Sequence, residues 1–214
     1  MKKKRNIIIC IILTIISILY TILVKIVDVK PIGPNSSKVG FASLNGLFKD
    51  LIGNNMTIYK ITEVLGYLVF IICLFYACVG VYQLIKRKSI KKVDKEIFLV
   101  GAFYVLVLLI YVLFEKVVIN YRPVLIDGVL EASFPSSHTM LAICVCTTSL
   151  IIGSKYINKK YLDIINIITF ILMLSVLIGR LISGVHWISD IMGGIIISIT
   201  LIMYFITIHN CIKE

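Results

Sequence analysis

The chain has 214 residues, 59% of them hydrophobic, and a mean hydropathy of +1.03. Water-soluble domains are nearer half apolar, so this composition excludes an ordinary soluble domain and points to a membrane protein. The formal charge of +11 needs no nucleic acid to explain it, because anionic lipid headgroups are a sufficient counterpart.

Apolar runs of about 18 residues or more can cross a bilayer core of about 30 Å as helices. In chain order, six such runs are predicted, near 6–27, 61–85, 96–119, 138–153, 163–181 and 187–209. They give an all-α fold, a bundle of six transmembrane helices forming a single domain over residues 1–214. The first run follows "MKKKR" and continues for a full span without an A-x-A-like cleavage site, so it is read as a retained signal anchor. Between the first two runs, the segment 28–60 begins with helix breakers and carries a short amphipathic helix predicted near 41–52. Two readings of that segment stand side by side: a lid or substrate guide on the membrane surface, and a plain connector. The fourth run is the shortest, and the fifth and sixth are separated by little more than "RLISGVH".

Basic residues fix an orientation. Lys2, Lys3, Lys4 and Arg5 precede the first span, "KRKSIKKVDK" follows the second, "KYINKK" the fourth and Lys213 the sixth. All of these fall on one side if six helices alternate, and they hold well over half of the 22 basic residues. The positive-inside rule makes that side cytoplasmic, with both termini inside. The Lys- and Ile-rich composition suggests a bacterium and hence the plasma membrane. The six cysteines all lie within or at the ends of apolar runs, which argues against a disulfide framework or a metal site. Oligomeric state is not encoded in any recognisable pattern.

The opposite side gathers the polar chemistry. The loop "EKVVINYRPVLIDGVLEASFPSSH" and the turn "GRLISGVHWISD" bring Arg122, His138, Arg180, His186 and Asp190 to one extracytoplasmic level. Ionisable groups at a bundle mouth cost several kcal/mol unless paired or hydrated, so their concentration there indicates function. Two guanidinium groups match the oxygens of a phosphate. Pro135 fits the start of a helix, and the backbone N–H groups of Ser136 to His138 would open that helix towards an anion. His186 and Asp190 are four apart, the spacing that places two side chains on one helix face. A carboxylate bonded to one imidazole nitrogen leaves the other free as a nucleophile. His138 is then placed to protonate a leaving oxygen as general acid. The result is an anion pocket that calls for no metal and no cofactor.

These residues resemble the type 2 phosphatidate phosphatase superfamily of integral membrane lipid phosphatases. Its motifs are, in outline, K-x6-R-P, P-S-G-H and S-R-x5-H-x3-D. The chain carries "RP" at Arg122 and Pro123, "PSSH" at Pro135 to His138, and Arg180, His186 and Asp190 at the family's spacing, all within 115–194. The resemblance implies that His186 attacks phosphorus to form a phosphohistidine, that Asp190 orients it, and that His138 protonates the departing group. It also implies that Arg122 and Arg180 hold the phosphoryl oxygens, with donors from Ser136 and Ser137 and a contribution from Lys116, and that water completes hydrolysis. The partner is then a lipid phosphate or pyrophosphate in the bilayer, such as undecaprenyl pyrophosphate, phosphatidate or phosphatidylglycerophosphate. Three departures stand out. Glu115 occupies the family's lysine position, with Lys116 one step later and rotated by about 100° on a helix. Gly179 replaces the serine before Arg180, and Ser137 replaces a glycine. A non-catalytic lipid-binding protein of the same fold is the competing reading, supported by the displaced lysine. Six spans argue against the mostly soluble haloperoxidases, and the clustering of both histidines and both arginines argues against a transporter.

Overall fold

A computed structural model describes residues 2–213. Seven α-helices follow one another: α1 (Lys2–Ile26), α2 (Ala42–Ile52), α3 (Met56–Arg87), α4 (Lys95–Lys116), α5 (Ser137–Tyr156), α6 (Lys159–Ile182) and α7 (Ile188–Lys213). All but α2 are long and apolar enough to cross a membrane. The described residues contain isolated antiparallel bridges but no strand. The six predicted runs each coincide with one of the long helices. The helix of the second run, α3, starts earlier than predicted because Asn55 caps it, its side-chain oxygen accepting from the Ile58 N–H at 3.0 Å. That of the third run ends earlier, where the chain leaves the helix axis and the Val118 carbonyl accepts from Lys25 Nζ at 2.7 Å.

α5 occupies the centre and packs against α3, α4, α6 and α7, which explains its modest hydropathy: more than half of its residues face protein. Tyr76, Phe103, Val107, Met140, Cys144 and Phe205 form the apolar core around it. Interhelical hydroxyls supplement packing where lipid gives no hydrophobic drive. Tyr104 meets Thr148 at 3.1 Å, and Tyr76 meets Ser149 at 3.1 Å. Along the α1–α7 seam, Ser17 meets Thr200 at 2.8 Å and Thr14 meets Tyr204 at 3.0 Å.

One end of the bundle collects the segments 27–55, 117–136 and 183–187. The predicted helix near 41–52 forms there as α2, and it is pinned from below. Buried Asn45 donates to the Gly40 carbonyl at 2.7 Å and to Ser189 Oγ at 2.9 Å. Asn120 Oδ1 accepts from the Gly40 N–H at 3.0 Å, and Lys49 donates to the Pro123 carbonyl at 3.1 Å. The segment is therefore a brace that holds the start of α7 and the 117–136 loop together.

Candidate active site

His186 lies in the bend between α6 and α7, before the first turn of α7, so the helical four-residue spacing expected of His186 and Asp190 does not apply. Its Nδ1 is 3.1 Å from the Ser133 carbonyl and 3.8 Å from Asp190 Oδ2. A carbonyl can only accept, so Nδ1 carries the proton and Nε2 keeps its lone pair. The expected carboxylate bond is thus replaced by a backbone carbonyl from the neighbouring loop, with the same effect on the tautomer. Asp190 instead accepts from the Trp187 N–H at 3.0 Å and from Asn120 Nδ2 at 3.3 Å, which fixes the bend that carries His186. Burial, followed by the positive charges of Arg122 and Arg180, holds the His186 imidazole well below its ordinary range and therefore neutral.

His138 occupies the first turn of α5, where Ser136 is the N-cap. Ser136 has both of its donors engaged. Its N–H donates to the Asp190 carbonyl at 3.0 Å, and its hydroxyl donates to Thr139 Oγ1 at 3.0 Å. It joins the starts of α5 and α7, whereas Ser137 lines the cavity beside His186. Arg122 is carried by a tight excursion of the 117–136 loop, its N–H bonded to the Glu131 carbonyl at 3.0 Å. Its Nε is 3.0 Å from Glu131 Oε2 but off the N–H axis, an ion pair without a hydrogen bond. Arg180, fully buried in the last turn of α6, pairs through Nη2 with Glu63 and stacks on the Tyr59 ring, 5.1 Å from its centroid.

Among the described residues, Arg122 Nε and Nη1, Arg180 Nε and Nη1, His138 Nδ1 and His186 Nε2 are buried without a hydrogen-bond partner. Buried donors are nearly always satisfied, so the orphaned arginine nitrogens mark a site built for a ligand rich in acceptor oxygens, with the bare Nε2 lone pair of His186 beside them. Glu115 lines the cavity with Arg122 and His186, and the neighbouring Lys116 is not part of its wall. No group of three or more His, Cys, Asp or Glu among the described residues is placed to hold a metal ion.

An apolar groove of about 380 Å3, lined by Phe70, Cys73, Tyr104, Leu108 and Leu141, ends at Ser137 and His138. A second hollow of about 310 Å3 continues it between α3 and α4, sharing Cys73 and Tyr104. Glu63 is the site residue that motif reading missed. It is the lone carboxylate in the second predicted span, and an ionisable group within an apolar run is itself a functional signal.

The fold is that of a multi-pass helical membrane protein with buried cationic groups gathered at one end, and comparison with known proteins supplies the family. The PAP2 superfamily model matches residues 67–213, and the chain belongs to that superfamily. Its fold is similar to a transmembrane PAP2 type phosphatidylglycerolphosphate phosphatase from Bacillus subtilis, known from a crystal structure. The TM-score is 0.58 and the identity 18%, over 95% of this chain and 96% of the other. No curated protein gives a significant sequence match. The family match begins four residues after Glu63, which therefore lies outside it.

Proposed function

We propose that the protein removes phosphate from a lipid phosphate or pyrophosphate through a covalent phosphohistidine. The observation that carries this reading is the convergence of unpartnered Arg122 and His186 nitrogens on one cavity, with the unpartnered Arg180 nitrogens held beside His138 through their shared partner Glu63. The Nε2 lone pair of His186 attacks phosphorus as the bond to the leaving oxygen breaks, and His138 supplies the proton to that oxygen. Arg122 and Arg180 hold the phosphoryl oxygens and offset the charge that builds on them. Water then attacks phosphorus as the N–P bond breaks and its electron pair returns to His186 Nε2; the water's proton passes to His138, and orthophosphate leaves. Ser137 and the opening turn of α5 lend further donors, and Asp190 keeps the His186 bend in place.

The groove ending at His138 gives an acyl or isoprenoid tail an apolar path from the bilayer to the site, which favours a lipid over a soluble phosphate ester. The basic segments at the opposite end favour both termini in the cytoplasm and a site on the outer face of the plasma membrane. An outward site suits recycling of a carrier lipid, so undecaprenyl pyrophosphate leads phosphatidate and phosphatidylglycerophosphate, the last being close to what the Bacillus subtilis protein's name specifies. The test is phosphate release from these three lipids by wild type and by His186→Ala, without added metal. Loss of release in the variant is expected, and equal release by both proteins overturns the mechanism.

A further inference from the structure

The first three turns of α3 present four residues to the site at the i, i+3, i+4 and i+7 positions of one helix face: Tyr59, Thr62, Glu63 and Gly66. Each meets a different feature. Tyr59 stacks under the Arg180 guanidinium. Thr62 packs on Gly179, so closely that no side chain fits there. Glu63 Oε1 bridges Arg180 Nη2 and His138 Nε2, the latter at 3.4 Å. Gly66 leaves the space in which the His138 ring sits, since a Cβ there would lie 2.8 Å from His138 Cδ2.

From this stripe we infer that Glu63 is a positioning residue of the reaction, clamping Arg180 and His138 in the orientation from which both act on the phosphoryl group. The inference rests on the proposed phosphatase reading. Glu63 takes only Nη2 of Arg180, and Nε and Nη1 keep their hydrogens free. The carboxylate therefore grips the guanidinium from one side and leaves the rest of the fork for phosphoryl oxygens. Arg122 also has a carboxylate beside it, Glu131, which sits near Nε as an ion pair without a hydrogen bond. The Gly179 departure from the family motif also acquires a reason: a serine would push α3 away from α6 and carry Glu63 with it.

The sign of one measurement separates positioning from its rival. If Glu63 merely competed with phosphate for the arginine, removing its charge would tighten the binding of any anion. If it positions, removing it loosens Arg180 and weakens anion binding despite the lost repulsion. The full-length protein in detergent micelles is assayed on the three lipids above, and orthovanadate is measured both as inhibitor and as a stabiliser in thermal unfolding.

Glu63→Gln is expected to lower kcat/KM and weaken vanadate inhibition together, by about 10- to 100-fold, the scale of a misplacement near 1 Å. Glu63→Asp, which keeps the charge, is expected to recover most of the loss. Vanadate binding in Glu63→Gln as tight as in wild type or tighter overturns the inference, as does a Glu63→Asp variant no better than Glu63→Gln. If Glu63→Gln does not fold, Gly66→Ala decides, because it displaces the His138 ring and leaves every charge in place: a fall in kcat supports the clamp, and wild-type kcat overturns it. Wild type inactive on all three lipids, with vanadate still stabilising it more than it stabilises Glu63→Gln, sinks the phosphatase reading and leaves the clamp standing.

Discussion

Replacing Gly179 tests how α3 is seated. A Cβ at Gly179 would meet Thr62 Cγ2, overlapping it by roughly 1 Å or more relative to ordinary carbon–carbon contact at about 3.5–4.0 Å. Neither partner can yield easily: Thr62 is buried and its hydroxyl donates to the Tyr59 carbonyl at 2.7 Å. Gly179→Ala therefore overpacks the α3–α6 contact, at a cost of about 2 kcal/mol, or about 4–8 °C in unfolding midpoint for a chain of this size. Thr62→Ser removes the offending methyl and keeps the hydroxyl, and alone it costs about 1 kcal/mol. The double variant regains most of the Gly179→Ala loss, with a coupling of about 1–2 kcal/mol in a double-mutant cycle measured by reversible unfolding in micelles. Catalytic activity follows the same pattern, because Glu63 adjoins Thr62. A Gly179→Ala variant as stable as wild type, or a double variant whose losses simply add, refutes the close-approach argument.

Other expectations concern the rest of the site end. Asn120→Ala leaves the buried Gly40 N–H without its acceptor and removes a donor from Asp190, a loss of about 1–3 kcal/mol that thermal unfolding in micelles detects. The Ser43 N–H, and after it Lys30, hold the Asp28 carboxyl down at about 2. Its folded value lies below the ordinary carboxylate value of about 4, so the anchoring of α2 by Asp28 is complete above that value and is lost as pH falls through about 2. Exchange protection of the Ser43 amide should accordingly be the same at pH 7 and pH 6 and fall as pH drops below about 4. Chelation with EDTA should leave phosphate release unchanged, measured on the same three lipids.

The six spans were legible because lipid demands long apolar helices, and that demand leaves a mark on composition that survives any detail of packing. The motif residues could be named as candidates from their types and spacing, and the fold brings them to one end of the bundle. Their bonding was not legible. The sequence spacing of His186 and Asp190 suggested a direct bond, but a bend at 183–187 and the arrival of the Ser133 carbonyl redirect it. Ser136 offered donors in the sequence that the fold spends on Asp190 and Thr139. Glu63 and Tyr59 reach Arg180 from more than a hundred residues away, a pairing that only the packing of α3 on α6 creates. Asn120, Ser133 and Glu131 act largely through contacts with backbone or with distant loops, for which no local pattern exists.

The central place of α5 bears on how the protein is made. It is the least apolar of the six long helices, and most of its surface is given to protein rather than lipid. Partitioning from the translocon rewards apolar side chains and penalises polar ones, so α5 gains little by entering the bilayer alone. Two of the helices that cover it, α6 and α7, are synthesised after it. The C-terminal hairpin of α6 and α7 therefore contributes to holding α5 in the membrane. The seat of His138, at the start of α5, thus depends on the same two helices that frame His186.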